Sequence, residues 1–542
     1  MHSPAAHLCR AFIDRTRVRP DDTFAVVARH GTDATLRNGE VMARALAIGA
    51  RVRACGAAAG DVVAIVLEHG IDLYPAFLGC MIGGFVPTFL PPLTVKQDAD
   101  LFRDAMAALF ARIRPAAVLT SRASRAHAPA GAHALLILDD IGAFDGDAVA
   151  TAQRWLDAPG DTAQQTAFLQ HSSGTTGLKK GVMLSHATVI AHIARYADAI
   201  GAAAGDVTVS WLPLYHDMGL ITGFLLPMVL GGVIVALDAL EWVVRPTLLL
   251  DYAQRHRGSF IHLPDFAFHH LLRAARGGQS WDLHSLKAVI DCSEPCRAAT
   301  FERFAARFGA MGLDRSRLRV CYAMAETVFA VSLTPPGHIV RSGGSAATQA
   351  FLSCGRPLPG VQIAIRDAAG DPVAAGEPGE ICIRSATLFD GYFRQPDVTA
   401  GRLRDGWLAT RDLGCIEAGE LFVLGRVDDL LTVNGRSLFA REVEDVLTAL
   451  PGLAAGRALA GTAFDAQLGA TRLLILVEPA DAASDPRALE SDVRRIVLAH
   501  TGLSPSAVHV LPRGFLVKSS SGKLARGQCW RKFAQSRAGG PA

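Results

Sequence analysis

The chain has 542 residues, of which half are hydrophobic and 19% are charged, and its formal net charge is only +3. This length exceeds a single simple core and suggests two to four structural units. No stretch concentrates Lys and Arg with interleaved aromatic residues, so the composition gives no reason to expect a nucleic-acid partner.

The cysteines and the first residues of the chain indicate the cellular compartment of the protein. The closest pair among the ten cysteines, Cys292 and Cys296, lacks the C-x-x-C spacing of zinc and redox motifs. Free cysteine is usually buried, so we expect reduced thiols in the core and a cytoplasmic protein. The start of the chain has no apolar segment behind a basic region, so no signal peptide is expected.

Apolar, strand-like runs alternate with helical patterns over most of the chain, as at 62–67, 233–237 and 288–290. This alternation predicts an α/β fold in which helices cover largely parallel sheets. The apolar segment 220–237 approaches transmembrane length, but Pro227 and a Gly-Gly pair interrupt it. We therefore predict a buried helix, a turn and a buried strand there, a plan that 76–89 repeats.

The texture of the sequence changes in its last third. From about Gly355 short strands and turns predict a β-rich subdomain over about 355–425, which completes a large N-terminal domain spanning 1–425. Residues 426–542 combine a charged helix beginning near Arg441 with a further strand and helix, which predicts a small α+β C-terminal domain. The basic tail that follows Arg526 is expected to be solvated.

The densest chemical signal is the loop 172–181, SSGTTGLKKG, which follows a strand-like run. Its glycines allow a tight turn with N–H groups close to an anion, while hydroxyls add donors and lysines add charge. This composition predicts a polyphosphate site. The loop is not a Walker A motif, because G-x-x-x-x-G-K-[ST] is absent, and that argues against a P-loop kinase or NTPase.

Further motifs follow this loop along the rest of the chain. They are WLPLYHDMG at 211–219, SEP at 293–295, YAMAET at 322–327, GYF at 391–393, GWLATRDLG at 406–414, GRVDD at 425–429, NGR at 434–436 and SSGKLAR at 520–526. The ordered set resembles the adenylate-forming superfamily, which includes acyl-CoA synthetases, luciferases, adenylation domains of peptide synthetases and fatty acyl-AMP ligases. The resemblance covers nearly the whole chain and implies an enzyme that uses ATP and Mg²⁺.

The resemblance implies a role for each motif in joining a carboxylate to the α-phosphorus of ATP. The phosphate loop and Lys180 would hold the β- and γ-phosphates, Glu326 would hold Mg²⁺, and Thr327 would bond the α-phosphate. The implied nucleotide-binding residues of the loop are Ser172, Ser173, Gly174, Thr175, Thr176 and Gly177.

The nucleoside is assigned to a second set of residues by the same resemblance. Tyr322 would stack on adenine, and Asp412 would accept bonds from both ribose hydroxyls, with Arg426 adding a contact to ribose or phosphate. The other face of the adenine would be lined by Ser293, Glu294 and Pro295.

The resemblance assigns catalysis and domain motion to three further residues. The ammonium of Lys523 would lie between the acyl carboxylate and the α-phosphate and stabilise the transition state. His216 would gate or position the carboxylate beside the acyl pocket. Asp428 matches the family hinge, about which a mobile C-terminal domain would rotate to remove Lys523 and admit a thiol acceptor.

Within the superfamily, three features are most similar to fatty acyl-AMP ligases, which pass the acyl group to the phosphopantetheine of an acyl carrier protein. These are the WLPLYHDMGL motif, the segment Leu263–Ala267 with Asp265 where those ligases have Asn, and an insertion over about 332–353. The insertion is shorter than theirs, which leaves an acyl-CoA synthetase as the alternative. Lys179 and Ala323 also depart from the usual pattern without removing a group that the chemistry requires.

Other acid substrates and a non-catalytic role are the remaining alternatives. An amino-acid-activating domain would present an Asp to the substrate amine, and the acids near His216 are Asp217, inside the motif, and Asp238. A relative that only binds nucleotide is disfavoured by retention of Lys180, Glu326, Asp412, Arg426 and Lys523. We expect a fatty acid as substrate and no stable insertion into a membrane.

Overall fold

The structure is a computed structural model. It describes residues 7–93, 99–128, 131, 133–157, 163–171, 180–292, 296–344, 351–433, 436–448, 450–465, 470–481, 485–518 and 524–538.

Strands of the described chain are numbered in order. They are β1 (Thr23–Arg29), β2 (Thr32–Arg37), β3 (Val62–Val66), β4 (Val86–Leu90), β5 (Ala117–Thr120), β6 (Ala134–Ile137), β7 (Thr166–His171), β8 (Gly181–Ser185), β9 (Val207–Ser210), β10 (Val233–Leu237), β11 (Phe260–Leu263), β12 (Ala288–Cys292), β13 (Leu318–Ala323), β14 (Ala330–Leu333), β15 (Arg356–Pro357), β16 (Val361–Arg366), β17 (Gly379–Ser385), β18 (Gly391–Tyr392), β19 (Leu403–Arg404), β20 (Trp407–Glu417), β21 (Glu420–Arg426), β22 (Leu430–Val433), β23 (Arg436–Phe439), β24 (Leu453–Asp465), β25 (Ala470–Pro479) and β26 (Ala507–Val510).

Helices are numbered in the same way. They are α1 (Arg10–Val18), α2 (Asn38–Ala54), α3 (Leu73–Ile82), α4 (Ala99–Ile113), α5 (Ala148–Leu156), α6 (His186–Ile200), α7 (Asp217–Leu220), α8 (Leu226–Leu230), α9 (Ala239–Val244), α10 (Leu248–Arg255), α11 (Asp265–Ala274), α12 (Ala298–Phe308), α13 (Pro396–Arg402), α14 (Ala440–Leu447), α15 (Pro486–Thr501) and α16 (Arg526–Ala538).

A nine-stranded sheet forms the largest layer, in the order β15-β14-β13-β12-β11-β9-β10-β1-β2. Its six middle strands, β13 to β1, run parallel, while β2, β14 and β15 are antiparallel. The middle strands are apolar and buried on both faces, as expected for parallel strands that helices cover. Their carboxyl ends therefore share one edge of the sheet.

A second parallel sheet and the segment 220–237 complete the α/β part of the chain. The sheet has the order β4-β3-β5-β6. The segment forms α7, a π-helical turn at Ile221–Leu225 and α8, and then reverses at Gly231, whose φ is +83°, into the buried strand β10. The prediction of a buried helix, a turn and a buried strand is therefore confirmed. No helix within the described ranges combines the length and apolarity needed to cross a bilayer.

The last third of the chain changes, as predicted, from α/β elements to a β-rich segment and then to a small α+β domain. An antiparallel sheet of β16, β17, β19, β20 and β21 follows the nine-stranded sheet. After β21 come the β22–β23 hairpin, a sheet of β24, β25 and β26, and the helices α14 and α15. The α/β class with a large N-terminal and a smaller C-terminal domain is confirmed, while the boundary at 425/426 stays a prediction.

The basic tail was predicted to be solvated, and that prediction is wrong. Residues 526–538 form α16, whose Cys529 and Phe533 are buried against Leu459, Leu476 and Leu516. Apolar side chains spaced four residues apart place this helix on the C-terminal sheet, while Arg531 and Arg537 stay exposed. The cysteine prediction is confirmed, because nine of the ten free thiols are buried.

Gly355, at the start of the β-rich segment, has a φ of +74°, and an added Cβ would lie 2.0 Å from the carbonyl carbon of Leu333. The neighbouring atoms belong to backbone and cannot move aside. We therefore expect Gly355→Ala to lower the free energy of unfolding by about 3 kcal/mol. Urea denaturation compared with Gly370→Ala checks this, since Gly370 shares the positive φ but has open space around it. Equal losses in the two variants would contradict the packing argument.

Candidate active site

A cavity of about 2430 Å³ follows the carboxyl edge of the parallel strands. Ligands of open α/β sheets bind at this edge because the loops that follow the strands meet there. Its lining includes Tyr322 at the end of β13, Pro264 after β11, Trp211 after β9, Asp238 after β10 and Arg29 at the end of β1. From β13 to β1 the sheet spans five strand spacings, or roughly 24 Å. The cavity is therefore long enough for two ligand parts side by side.

Tyr322, Asp412 and Arg426 meet at the β13 end of the cavity. The Tyr322 hydroxyl donates to Asp412 Oδ2 at 2.6 Å, and Arg426 Nε lies 3.5 Å from Asp412 Oδ1. Asp412 and Arg426 are cross-strand partners in β20 and β21, which fixes their approach. The structure thus brings together three residues that were predicted to hold the nucleoside.

Burial controls the ionisation of this group. It raises the pKa of Tyr322 well above its ordinary value, and the neighbouring Asp412 carboxylate adds to that shift. Burial also raises the pKa of Asp412, and Arg426 and the Tyr322 hydroxyl partly offset it. Tyr322 therefore stays a neutral donor, while Asp412 titrates above the ordinary range of an aspartate.

Glu326 lies next to this group, in the tight turn that follows β13. Its Oε1 accepts a 2.8 Å hydrogen bond from the buried Tyr392 hydroxyl. Lys180 Nζ sits 4.9 Å from the centre of the Tyr392 ring, and burial followed by repulsion from Arg402 lowers the Lys180 pKa. One carboxylate with its second oxygen still available fits a hard cation that keeps phosphate and water as its other ligands.

Thr327 and Val328 complete the turn. The Thr327 side chain is buried, and its Oγ1 lies 2.8 Å from the Phe329 carbonyl oxygen and 3.0 Å from that of Met324. The hydroxyl thus bonds backbone and does not line the described cavity. Val328 has a φ of +68°, a conformation that costs a β-branched residue of order 1–3 kcal/mol. Such strain is found where a turn holds functional groups in place.

The phosphate loop joins two paired strands. Antiparallel pairing of β7 with β8 sets His171 opposite Gly181, so both ends of the loop are held side by side at the cavity, which His171 and Lys180 line. Several predicted nucleotide-binding residues lie outside the described residues. They are Ser172, Ser173, Gly174, Thr175, Thr176, Gly177, Ser293, Glu294 and Pro295.

Lys523 also lies outside the described residues, but the segments on either side of it are described. Lys518 and Leu524 form an antiparallel bridge, and the Ala525 N–H donates to the Val517 carbonyl at 2.9 Å. Both bridge residues line the cavity. The loop that carries Lys523 therefore begins and ends at the cavity wall.

His216 marks the start of an apolar arm of the cavity. It precedes α7 and is half-buried, with its ring centre 4.9 Å from that of Tyr215. Beyond it Trp211 stacks on Trp242 with ring centres 3.8 Å apart, and the Phe266 ring meets Trp211 at 6.1 Å. The remaining apolar lining of this arm comes from Leu212, Leu214, Met218, Ala236, Leu237, Leu240, Val243 and Pro264.

Asp428 lies in the turn after β21 and pairs with Arg411 Nη2 at 2.5 Å. Arg411 itself has a φ of +64°, in the left-handed region that favours glycine. A second ion pair joins the N-terminal and C-terminal domains. It forms between Arg297, which precedes α12, and Asp445 on α14. These contacts hold the C-terminal domain in the arrangement of this structure.

Two residues at the site were not given a role from sequence. Tyr392 belongs to the GYF motif, but nothing in that motif showed that its hydroxyl would reach Glu326, 66 positions away. Arg402 lines the cavity beside Lys180 while bonding the carbonyls of Ala409 and Thr410, and no motif signalled it.

Comparison with known proteins places the chain among adenylate-forming proteins. The family model described as AMP-binding enzyme matches residues 12–393. A long-chain-fatty-acid–AMP ligase, FadD26 of Mycobacterium marinum, is 27% identical, with 95% of each chain covered. The medium-chain-fatty-acid–[acyl-carrier-protein] ligase JamA of Moorena producens is 26% identical over 87% of this chain and 85% of its own.

A solved structure has the same fold over its full length. It comes from studies of fatty acyl-adenylate ligases from E. coli and L. pneumophila and superposes with a TM-score of 0.83 at 26% identity. The match covers 99% of this chain and 100% of that one. The fold is therefore shared with an enzyme of known structure.

Proposed function

The chain belongs to the AMP-binding enzyme family, and from that premise we propose that it activates a fatty acid as its acyl-adenylate and passes the acyl group to an acyl carrier protein. The observation that carries the proposal is the continuity of one cavity. A nucleoside group of Tyr322, Asp412 and Arg426 occupies one end, and an apolar arm leads away from it past His216.

The first step joins two anions. A carboxylate oxygen of the fatty acid attacks the α-phosphorus of ATP, a new P–O bond forms, and the bond to the β-phosphate breaks with release of pyrophosphate. Lys180 and the phosphate loop would hold the leaving phosphates, Glu326 would hold Mg²⁺, and Lys523 would stabilise the charge that develops at the reacting groups. Mg²⁺ supplies neutralisation of the phosphate charge when it is bound.

The apolar arm supports a fatty acid as the substrate. Trp211, backed by the buried Trp242 on which it stacks, forms an apolar wall together with the Phe266 edge and surrounding aliphatic side chains. Asp238 lines the cavity, but its Oδ1 accepts from the backbone N–H groups of Leu240 and Glu241 as the cap of α9. An alkyl chain gains free energy from this lining at about 25 cal/mol per Å² of buried apolar surface.

The second step transfers the acyl group to a thiol. The sulfur attacks the acyl carbon, a C–S bond forms, the bond from that carbon to the phosphate oxygen breaks, and AMP leaves while the thiol proton passes to solvent. We propose rotation about Asp428 between the two steps, which requires the Arg411–Asp428 and Arg297–Asp445 contacts to rearrange.

The insertion supports a carrier protein over CoA as the acceptor. Its described residues are anchored, because Arg341 Nε lies 3.1 Å from Glu420 Oε2 and Phe351 pairs with Arg297. Arg297 in turn holds Asp445 of the C-terminal domain. The insertion is thus connected to the domain whose rotation we propose between the two steps. An acyl-CoA synthetase remains the second candidate because the insertion is short.

Product analysis by mass spectrometry tests the proposal. The protein is incubated with ATP, Mg²⁺ and fatty acids of graded length, with CoA or with a panel of phosphopantetheinylated carrier proteins. We expect acyl-AMP that persists with CoA and is consumed by a carrier. Rapid formation of acyl-CoA would identify the second candidate, and the absence of acyl-AMP would contradict both.

The raised pKa of Asp412 predicts the pH dependence of ATP use. The carboxylate accepts ribose hydroxyls only when ionised, so falling pH should raise the KM for ATP, beginning above the ordinary aspartate range. Asp412→Asn should have a KM about 100-fold higher at neutral pH, from the loss of charge-assisted bonds, and should lose the acid dependence. KM measured from pH 5 to 8 checks this, and an unchanged acid limb in the variant would contradict the assignment.

A further inference from the structure

A mixed apolar and basic patch lies on the rim of the cavity, where the apolar arm meets exposed residues that were given no role above. We define the rim patch as Leu240, Val244, Phe266, Arg273 and Arg303. Large apolar side chains are exposed here to an unusual extent, at 48% for Leu240, 85% for Val244 and 39% for Phe266. Both arginines are exposed as well.

The patch is continuous because three helices meet there. On α9, Leu240 and Val244 are four residues apart and share a face, and on α11 Phe266 and Arg273 are seven apart. A 2.8 Å bond from His270 to the Val243 carbonyl joins these helices, and a 3.0 Å contact between His269 and Thr300 joins α11 to α12, which carries Arg303. Rim and cavity are contiguous, since Leu240, Phe266, Arg273 and Arg303 all line the cavity.

Positive charge accumulates at this rim. Burial lowers the pKa of His269, and the charges of Arg303, Arg273, Arg297 and Arg441 lower it further. Asp445 balances Arg297 and Arg441, at 3.6 Å in the second pair. Among the residues that the structure describes, Arg273 and Arg303 form no ion pair with a carboxylate, so their charges face outward.

We infer that the rim patch is the docking surface for an acidic acyl carrier protein, which this surface orients so that its phosphopantetheine arm enters the cavity. The inference rests on the proposed function. Charge complementarity selects this occupant: two outward guanidinium groups attract carboxylates around the attachment serine of a carrier, and the neighbouring apolar side chains bury against its helices. The acceptor thiol would then enter the cavity at this rim, where Arg273 and Arg303 line it.

Charge reversal tests the inference with matched controls. Arg273→Glu/Arg303→Glu is compared with Arg51→Glu/Arg154→Glu, an equal charge change at exposed positions on α2 and α5 that do not line the cavity. The carrier is the member of a holo-carrier panel with the highest kcat/KM for the wild type. We expect the rim variant to raise the KM for this carrier at least about tenfold and to flatten its salt dependence.

Two further readouts separate docking from chemistry. Acyl-AMP formation, followed by pyrophosphate release, should stay within about twofold of wild type, and so should acyl transfer to free pantetheine, which has no protein body to dock. Arg273→Ala/Arg303→Ala should give a smaller rise in KM than the reversal, because it removes attraction without adding repulsion.

Each contrary outcome has its own meaning. A wild type that transfers to carriers while the rim and control variants do so equally well would overturn the docking surface alone. A wild type that makes acyl-AMP but loads no carrier would overturn the proposed acceptor and this inference together. Loss of binding to anionic phospholipid vesicles by the rim variant, with carrier transfer intact, would assign the patch to a membrane surface instead.

Discussion

Lys523→Ala should lower the rate of acyl-adenylate formation by at least about 10³-fold while leaving the Kd for ATP within about threefold. Removing one preorganised charge from a transition state costs about this much, whereas the nucleoside and leaving phosphates are held by other groups. Single-turnover formation of acyl-AMP gives the rate, and titration of the variant with ATP gives the Kd.

Lys518 provides the control for this substitution. It has the same charge and lies at the cavity wall, opposite Leu524 in the bridge that closes the Lys523 loop. Lys518→Ala should change the adenylation rate by less than about tenfold, since a side chain at the wall only contributes to the surrounding field. Similar losses of rate in both variants would contradict a specific catalytic role for Lys523. A rate near that of the wild type for Lys523→Ala would do so outright.

Glu326→Gln should lower kcat for adenylation by about 10²- to 10³-fold and raise the Mg²⁺ concentration needed for half-maximal rate. The amide retains one oxygen and the shape of the side chain but loses the charge that a hard cation requires. Initial rates over a range of Mg²⁺ concentrations at saturating ATP separate the two effects.

Tyr392→Phe is a milder change at the same site, because it removes only the hydroxyl that donates to Glu326 Oε1. One hydrogen bond to a charged group contributes about 1.5–3 kcal/mol, so we expect a drop of roughly tenfold or more in kcat, smaller than that of Glu326→Gln. A positioning role predicts that the Mg²⁺ dependence shifts in the same direction. An Mg²⁺ dependence that is normal in Glu326→Gln would show that Glu326 does not hold the metal.

The two substitutions at Glu326 and Lys523 act on different parts of one barrier. In the proposed mechanism Glu326 would neutralise phosphate through a metal, while Lys523 would stabilise the charge that develops as the carboxylate attacks. Because both effects operate on the same transition state, their combination should fall short of additive, as is usual for residues that act as a unit.

The motifs and their order are read directly in the sequence. The α/β class, the buried strand after Gly231 and the helix near Arg441 could be predicted from it. Each depends on neighbouring residues: hydrophobic period, glycine at a turn, and hydroxyls or charges packed into one loop. The solvated-tail prediction failed because the few apolar residues of the tail stand among arginine, lysine and glutamine residues, and contact with the C-terminal sheet buries Cys529 and Phe533.

The sequence by itself determined the kind of chemistry, since a phosphate loop and single residues such as Glu326 and Asp412 stand in motifs that are complete within ten residues. Only the tertiary structure decided which side chains meet. The Tyr322 hydroxyl reaches Asp412 across 90 positions, and Arg273 and Arg303 line the same rim from separate helices. Strand order in the sheet and helix packing set such distances, and both arise from burial of apolar faces that many sequences could satisfy.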